Sequence, residues 1–297
     1  MKTSARFHGR WMPLALGLPQ LVLIAWFFYW PSWKGLWWSL HLECPFGHCT
    51  RFVGLDNYRR ELGDASLYAS LLSTAVFSLC GVALSVAAAL ALAWMVEFHR
   101  RSGKLFRYLL IWPYAVAGSV LGVILRAAAS PGIGPMAYLN RLWPHVWQPH
   151  LDGAQAMALV VAAFAWTQIP FDFIVLVAAL RSIPADYLAA AAIDGAGPLR
   201  RLLDIQIPMI RPQLFFVATM NLVDSITNSF AIVDTMTQGG PGGATGILAY
   251  RAYRDGFVGL DLSGSSALSM LLMLLLLAAI AAQFAAMERR ARQEGFR

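Results

Sequence analysis

Between residues 65 and 96 the chain contains no Asp, Glu, Lys or Arg. A helix of about 20 apolar residues crosses the roughly 30 Å of hydrocarbon in a bilayer, and this run is longer than that. Inside lipid no water satisfies the backbone, so a single spanning segment must pair its own N–H and C=O groups as a helix. Comparable apolar runs recur along the chain and leave little else. They predict an all-α, polytopic membrane protein with six transmembrane helices near residues 11–33, 70–96, 108–126, 154–180, 213–234 and 265–287, within a single transmembrane domain over residues 1–297. With 58% hydrophobic and 13% charged residues, the composition excludes an ordinary soluble domain.

The first run follows Lys2, Arg6 and Arg10, the charge order of a secretory signal. It is too long for one, contains Pro13, Pro19 and Pro31, and ends in aromatic residues rather than a small-residue cleavage site, so it reads as a retained span. The net charge of +7 is scattered in short flanks and not gathered on an aromatic-bearing polar surface, which argues against nucleic acid as a partner. Orientation explains it better. With both termini on one side, that side carries fifteen Lys and Arg residues against eight on the other, so the termini are expected in the cytoplasm. Arg126, at the outer end of the third span, is expected to snorkel to the interface, with attraction of an anion as the alternative.

This orientation makes the loop over residues 182–211 cytoplasmic. Its residues predict two short helices and a bend. Pro184 stands near the start of the first helix, Asp186 in its first turn complements the positive helix end, and Gly195 allows a left-handed turn. Pro198 suits the first turn of the second helix, where Leu199, Leu202 and Leu203 make an apolar stripe opposite Arg200 and Arg201. Pro208 removes the donor that continuation needs, so the second helix is expected to stop there. A compact two-helix knob of this kind suggests docking.

Polar residues also recur inside the predicted membrane. Asn221, Asp224, Ser225 and Asn228 follow at i, i+3, i+4 and i+7, which sets them on one face of the fifth span. Gln168 and Asp172 share a face of the fourth, with Pro170 between them. Unsatisfied polar groups at this depth cost several kcal/mol, so these faces turn to protein, a water-filled path or a ligand. Two readings stand for each residue: a contact lining a substrate path, or an interhelical hydrogen bond.

Cys44 and Cys49 lie in a polar segment expected outside the cytoplasm, where a small local disulfide and two unpaired thiols are both open readings. His48 beside them completes no metal-ligand spacing, and no metal site is assigned. The Gly-x-x-x-x-Gly-Lys-Ser/Thr loop of ATP hydrolysis is absent from the sequence, and no nucleophile and base are paired, so the chain reads as a non-catalytic subunit. Its energy must come from elsewhere.

The knob also carries a resemblance. Ala189-Ala190-Ala191, three residues, Gly195, nine residues and Ile205-Gln206-Ile207-Pro208 resemble the cytoplasmic coupling loop of bacterial ABC importer permeases, in which Glu-Ala-Ala precedes the Gly and Ile-x-Leu-Pro follows it. Ala189 stands where that family usually has Glu, and Ile207 where it usually has Leu. Further stretches are similar to maltose-type sugar permeases: Phe52-Val53-Gly54-Leu55-Asp56-Asn57, Trp112-Pro113-Tyr114-Ala115-Val116-Ala117 and Gly239-Gly240-Pro241. Residues 192–198 and 250–261 lean toward the first permease subunit of sn-glycerol-3-phosphate importers.

The resemblance implies a permease of the bacterial inner membrane. It implies a second related permease, a cytoplasmic ATP-binding cassette dimer and a periplasmic binding protein as partners. ATP and Mg would sit on the partner ATPase, with no cofactor on this chain. Asp186, Ala189, Ala190, Asp194, Gly195, Ile205 and Pro208 would form the ATPase-coupling loop. The substrate implied is sn-glycerol-3-phosphate or a glycerophosphodiester, with a di- or oligosaccharide as the alternative. An ion-coupled secondary transporter and a membrane scaffold are the rival classes, and neither explains the loop spacing.

Overall fold

The computed structural model describes residues 11–43, 50–98, 116–132 and 134–293. It divides into two compact units, Met1–Gly63 with Ala252–Leu271, and Asp64–Arg251 with Leu272–Arg297. Cys44 and Cys49, and the third span before residue 116, lie outside the described residues.

In chain order, α1 (Trp11–Ile24) continues through a π-helical turn, Ala25–Tyr29, into α2 (Trp30–Ser39). The helical path is therefore unbroken from 11 to 39 and tolerates Pro13, Pro19 and Pro31. Strands β1 (His41–Glu43) and β2 (Thr50–Phe52) pair antiparallel, with Glu43 opposite Thr50, and lead to α3 (Asp56–Gly63). In the first unit α3 is tied back to the end of α2: Asn57 Nδ2 donates to the Ser39 carbonyl at 2.9 Å and Tyr58 donates to Ser39 Oγ at 2.8 Å. Arg60 pairs with Asp261 at 2.5 Å, and Ser263 Oγ accepts the Glu43 amide at 2.9 Å.

The second unit begins with α4 (Ala65–Phe98). Then come α5 (Gly118–Ala128), α6 (Pro135–Leu142), α7 (Gly153–Arg181), α8 (Ala185–Ile193) and α9 (Pro198–Arg201). After a π-helical turn, Leu202–Gln206, the chain forms α10 (Ile207–Met209), α11 (Arg211–Thr227) and α12 (Phe230–Met236). Short α13 (Leu248–Tyr253) and long α14 (Leu262–Gln293) complete the described chain. Among the described residues three helices are long and apolar enough to cross a membrane, Ala65–Glu97, Gly153–Arg181 and Leu262–Arg289, or four if the pair α11 and α12, bent by 51°, counts as one span. The sequence places one span over 213–234, and the structure bends this stretch by 51° at Asn228 and Ser229.

Packing of α4 on α7 sets the core of this unit. Phe77 meets Phe164 edge-on with ring centroids 5.2 Å apart, and Gly81 makes the approach possible, since a Cβ there would fall 2.7 Å from the Phe164 ring. Further along, Ala89 and Ala93 pack with Phe173, Leu176 and Ile210. Rising numbers on α4 meet rising numbers on α7, so the two run parallel. Glu97 and Arg181, 2.9 Å apart, close the same end, and Ile210 brings the start of α11 there. The knob over residues 182–211 thus grows from one end of the second unit. Pro170 does not interrupt α7, although its ring nitrogen leaves one carbonyl of the preceding turn without its donor.

Candidate functional site

Within the second unit, α7, α11 and α4 bring the intramembrane polar residues together. Asn221 is fully buried and donates from Nδ2 to Asp172 Oδ2 at 2.7 Å and to Ser85 Oγ at 2.8 Å. One amide therefore ties three helices. Asp172 is equally buried, and its Oδ1 has no hydrogen-bond partner among the described residues. One turn along α7, Gln168 Nε2 donates to Asp224 Oδ2 at 3.0 Å, and Asn228 Nδ2 donates to Asp224 Oδ1 at 2.8 Å. Asp224 is half-buried and Asn228 exposed, so the network runs from a sealed inner half to an open outer half.

The expected face is therefore present, with two changes. Ser225 is buried, but its hydroxyl donates to the Leu222 carbonyl at 2.8 Å and joins no cross-helix bond. Asn228 is the C-cap of α11, where the helix ends, so its backbone no longer belongs to a continuing span. Ser85 is the member that sequence reasoning missed. A signal existed: Ser70, Thr74, Ser78 and Ser85 are all buried on α4, three of them at four-residue spacing, marking a face that turns to protein. Thr74 uses that position to accept the Leu248 amide at 2.8 Å, capping α13.

The knob is built as its punctuation predicts up to Gly195. Pro184 is the N-cap of α8, Asp186 lies in the first turn and Asp194 is the C-cap. Gly195 has φ of +80°, and the amides of Gly195 and Ala196 reach back to the Ala192 and Ala191 carbonyls at 3.2 and 2.9 Å. This is a Schellman closure, and it needs a residue at ease in the left-handed region. No atom lies within 4 Å of a Cβ added to Gly195, so the requirement comes from the backbone alone. Ala189, Ala190 and Asp194 are exposed and Ile193 protrudes with 87% of its surface open.

The second half differs from expectation. Pro198 does open α9, but Leu202 turns inward while Leu199 and Leu203 stay exposed, so the leucine stripe is divided. Nor does Pro208 stop the helix. Ile205 lies in a π turn closed by the Ile207 amide on the Leu202 carbonyl, and Pro208 follows inside α10. The wider turn takes up the missing donor and the bulk of the ring, and the break falls two residues later, at Ile210, before Pro212 opens α11. Arg200 and Asp204, 3.2 Å apart, brace the exposed side of the turn.

At the other end of this unit, Arg126 closes α5 and donates from Nη1 to the Thr235 carbonyl at a long 3.4 Å. Gly122, one turn earlier, lies directly against Thr235 and lets α5 approach α12 closely.

The chain matches a known class. The family model for the inner membrane component of binding-protein-dependent transport systems matches residues 63–293. The chain belongs to this family. As such a transport component it has curated relatives of nearly its own length. It is 40% identical over 290 residues to the sn-glycerol-3-phosphate transport system permease protein UgpA of Pectobacterium atrosepticum, covering 97% of this chain and 98% of the relative. The protein of the same name from Yersinia pseudotuberculosis is 41% identical over 286 residues, 96% and 97% of the two chains. That of Escherichia coli O157:H7 is 39% identical over 288 residues, 97% and 98%.

Among solved structures, a bacterial ABC transporter involved in the import of the acidic polysaccharide alginate superposes with a TM-score of 0.79 at 18% identity, over 94% of this chain and 96% of that one. The alginate transporter in complex with a pentasaccharide-bound periplasmic protein gives 0.79 at 17% identity, over 92% of each. At that identity the likeness is one of fold. This inner membrane component has the fold of ABC importer permeases.

Proposed function

We propose that the chain is one permease subunit of an ATP-driven importer and that it passes sn-glycerol-3-phosphate, or a related glycerophosphodiester, into the cytoplasm. The observation that carries this is full-length similarity near 40% to permeases named for sn-glycerol-3-phosphate from several bacteria. In this reading six spans cross the inner membrane with both termini in the cytoplasm. The partners are a second related permease, a cytoplasmic ATP-binding cassette dimer that holds ATP and Mg, and a periplasmic binding protein. The knob over residues 182–211 docks on the ATPase through α8, the Gly195 turn and the exposed Ile193, and Asp186 stands in for the acidic group that Ala189 lacks. Closure of the ATPases moves the knob, and the spans reorient between inward and outward openings.

Asp224 and Asn228 form the part of the polar face open to a passing polyol, with the buried Gln168 holding Asp224 from behind, whereas Asp172 and Asn221 hold α4, α7 and α11 together beneath it. Cys44 and Cys49 form a local disulfide, a reading supported by the strands on either side, which pair Glu43 with Thr50. With the free Cys80 replaced by alanine, thiol labelling that succeeds only after reduction is the expected result for that bond.

The experiment is uptake of labelled sn-glycerol-3-phosphate into proteoliposomes that contain this chain, its partner subunits and enclosed ATP, with binding protein outside. ATP-dependent accumulation is expected. Accumulation driven by a proton or sodium gradient without ATP would contradict the proposal.

A further inference from the structure

The polar face explains only part of such a substrate. Its charged members are the carboxylates Asp172 and Asp224, and carboxylates repel a phosphomonoester, which carries about 1.5 to 2 negative charges near pH 7. That face suits the hydroxyls of a polyol. The phosphate needs a cationic or N–H-rich contact elsewhere.

A shallow, open depression on the second unit offers one. Arg126 from the end of α5 and His150 from the turn before α7 both line it, with Thr237 just beyond α12, and Ala129, Leu159 and Met236 make its apolar wall. Arg126 and His150 are exposed, and among the described residues no carboxylate lies within ion-pair distance of Arg126. Its one bond on that side is the long contact to the Thr235 carbonyl, which leaves most of the guanidinium fork unused. A planar guanidinium with free N–H groups matches phosphate oxygens, and an imidazole N–H adds a second donor. The depression lies at the end of the unit opposite the knob, where the proposed orientation sets the outside.

We propose that Arg126 and His150 form an anion site that takes the phosphate of the incoming substrate before its polyol end reaches Asp224 and Asn228. This rests on the phosphorylated-polyol reading above. The same chemistry would accept a lipid phosphate, because Val120, Val123 and Ile124 expose an apolar face on α5 beside Arg126.

The test uses the complete transporter with its binding protein in vesicles of phosphatidylcholine, with and without phosphatidylglycerol, and normalises uptake to assembled complex. Arg126→Gln is expected to raise the half-saturating concentration of sn-glycerol-3-phosphate about tenfold, His150→Gln about threefold, and Arg126→Lys far less than Arg126→Gln. Inorganic phosphate should inhibit the wild type more strongly than either Gln variant, equally in both lipids. His150→Gln, in a turn, keeps the test open if Arg126→Gln fails to assemble. Unchanged half-saturation in the Gln variants overturns the site, and a shift confined to vesicles with phosphatidylglycerol overturns it in favour of a lipid headgroup. Absence of sn-glycerol-3-phosphate uptake by the wild type refutes the parent reading and this site with it, an outcome distinct from wild-type uptake with silent variants.

Discussion

The knob around Gly195 and the polar face around Asn221 belong to the same unit but are held by different means. The knob is exposed, and its shape is set by backbone punctuation: Pro184, the left-handed Gly195 and Pro198 fix where helices start and stop. The polar face is buried, and its shape is set by side chains that meet across helices far apart in sequence. A backbone-defined element can move as a body without losing its form, which suits a part that transmits motion. A side-chain network sealed from water resists change, because each member that loses its partner is left unsatisfied.

The strongest break of this contrast is Gly195→Pro. Proline fixes φ near −65°, far from the +80° that closes α8, so the turn cannot form. Uptake should fall to background while the chain still inserts and co-purifies with its partners; normal uptake would mean that the turn's shape is irrelevant. Next in size is the inner half of the polar face. Asn221→Leu should lower the stability of the assembled protein by about 1–3 kcal/mol, since Asp172 and Ser85 both lose their donor. Thermal unfolding in detergent reads this, and an unchanged midpoint would show that the three-helix tie carries nothing.

The coupling between Ser85 and Asn221 sharpens the point. A double-mutant cycle with Ser85→Ala and Asn221→Ala should give an interaction of about 0.5–1.5 kcal/mol. By contrast Asp224→Asn, at the open end, should shift stability by less than about 1 kcal/mol and act mainly on transport, measured as uptake per assembled complex.

The smallest effect is expected outside the spans, at Asp64. Hydrogen bonds from the Ser66 hydroxyl and amide, helped by Arg251 at 2.8 Å, hold its carboxyl below the usual carboxylate range. A carboxyl whose folded value is depressed adds stability above its unfolded value and loses it as pH falls through the folded one. Asp64→Asn should therefore make stability slightly lower near neutrality and less sensitive to acidification below about pH 4. Parallel unfolding curves for the two proteins across that range would remove Asp64 from the account.

The helical class and parts of the second unit were legible where their signals are local. The charge-free run over 65–96 became α4, and Asp152 before an apolar stretch caps α7 by accepting from Ala154 and Gln155. The Gly195 closure was readable for the same reason. What stayed hidden depends on the rest of the molecule. The 51° bend after Asn228 has no Pro or Gly to announce it, and the π turn before Pro208 trades one backbone irregularity for another in a way that residue preferences do not encode. Ser85 carried only the weak signal of small hydroxyls recurring along α4, and its partner 136 positions away is what gives it a role. Substrate chemistry is still less local, since the polar face alone would suit the hydroxyls of a sugar as well as those of a polyol phosphate.

The measurement that bears most directly on the central claim is ATP hydrolysis by the reconstituted transporter with its own ATPase, partner permease and binding protein. Binding protein loaded with sn-glycerol-3-phosphate is predicted to stimulate hydrolysis several-fold, and Gly195→Pro to abolish that stimulation. Stimulation only by a disaccharide-loaded binding protein would contradict the substrate, and full stimulation of Gly195→Pro would contradict the role of the knob.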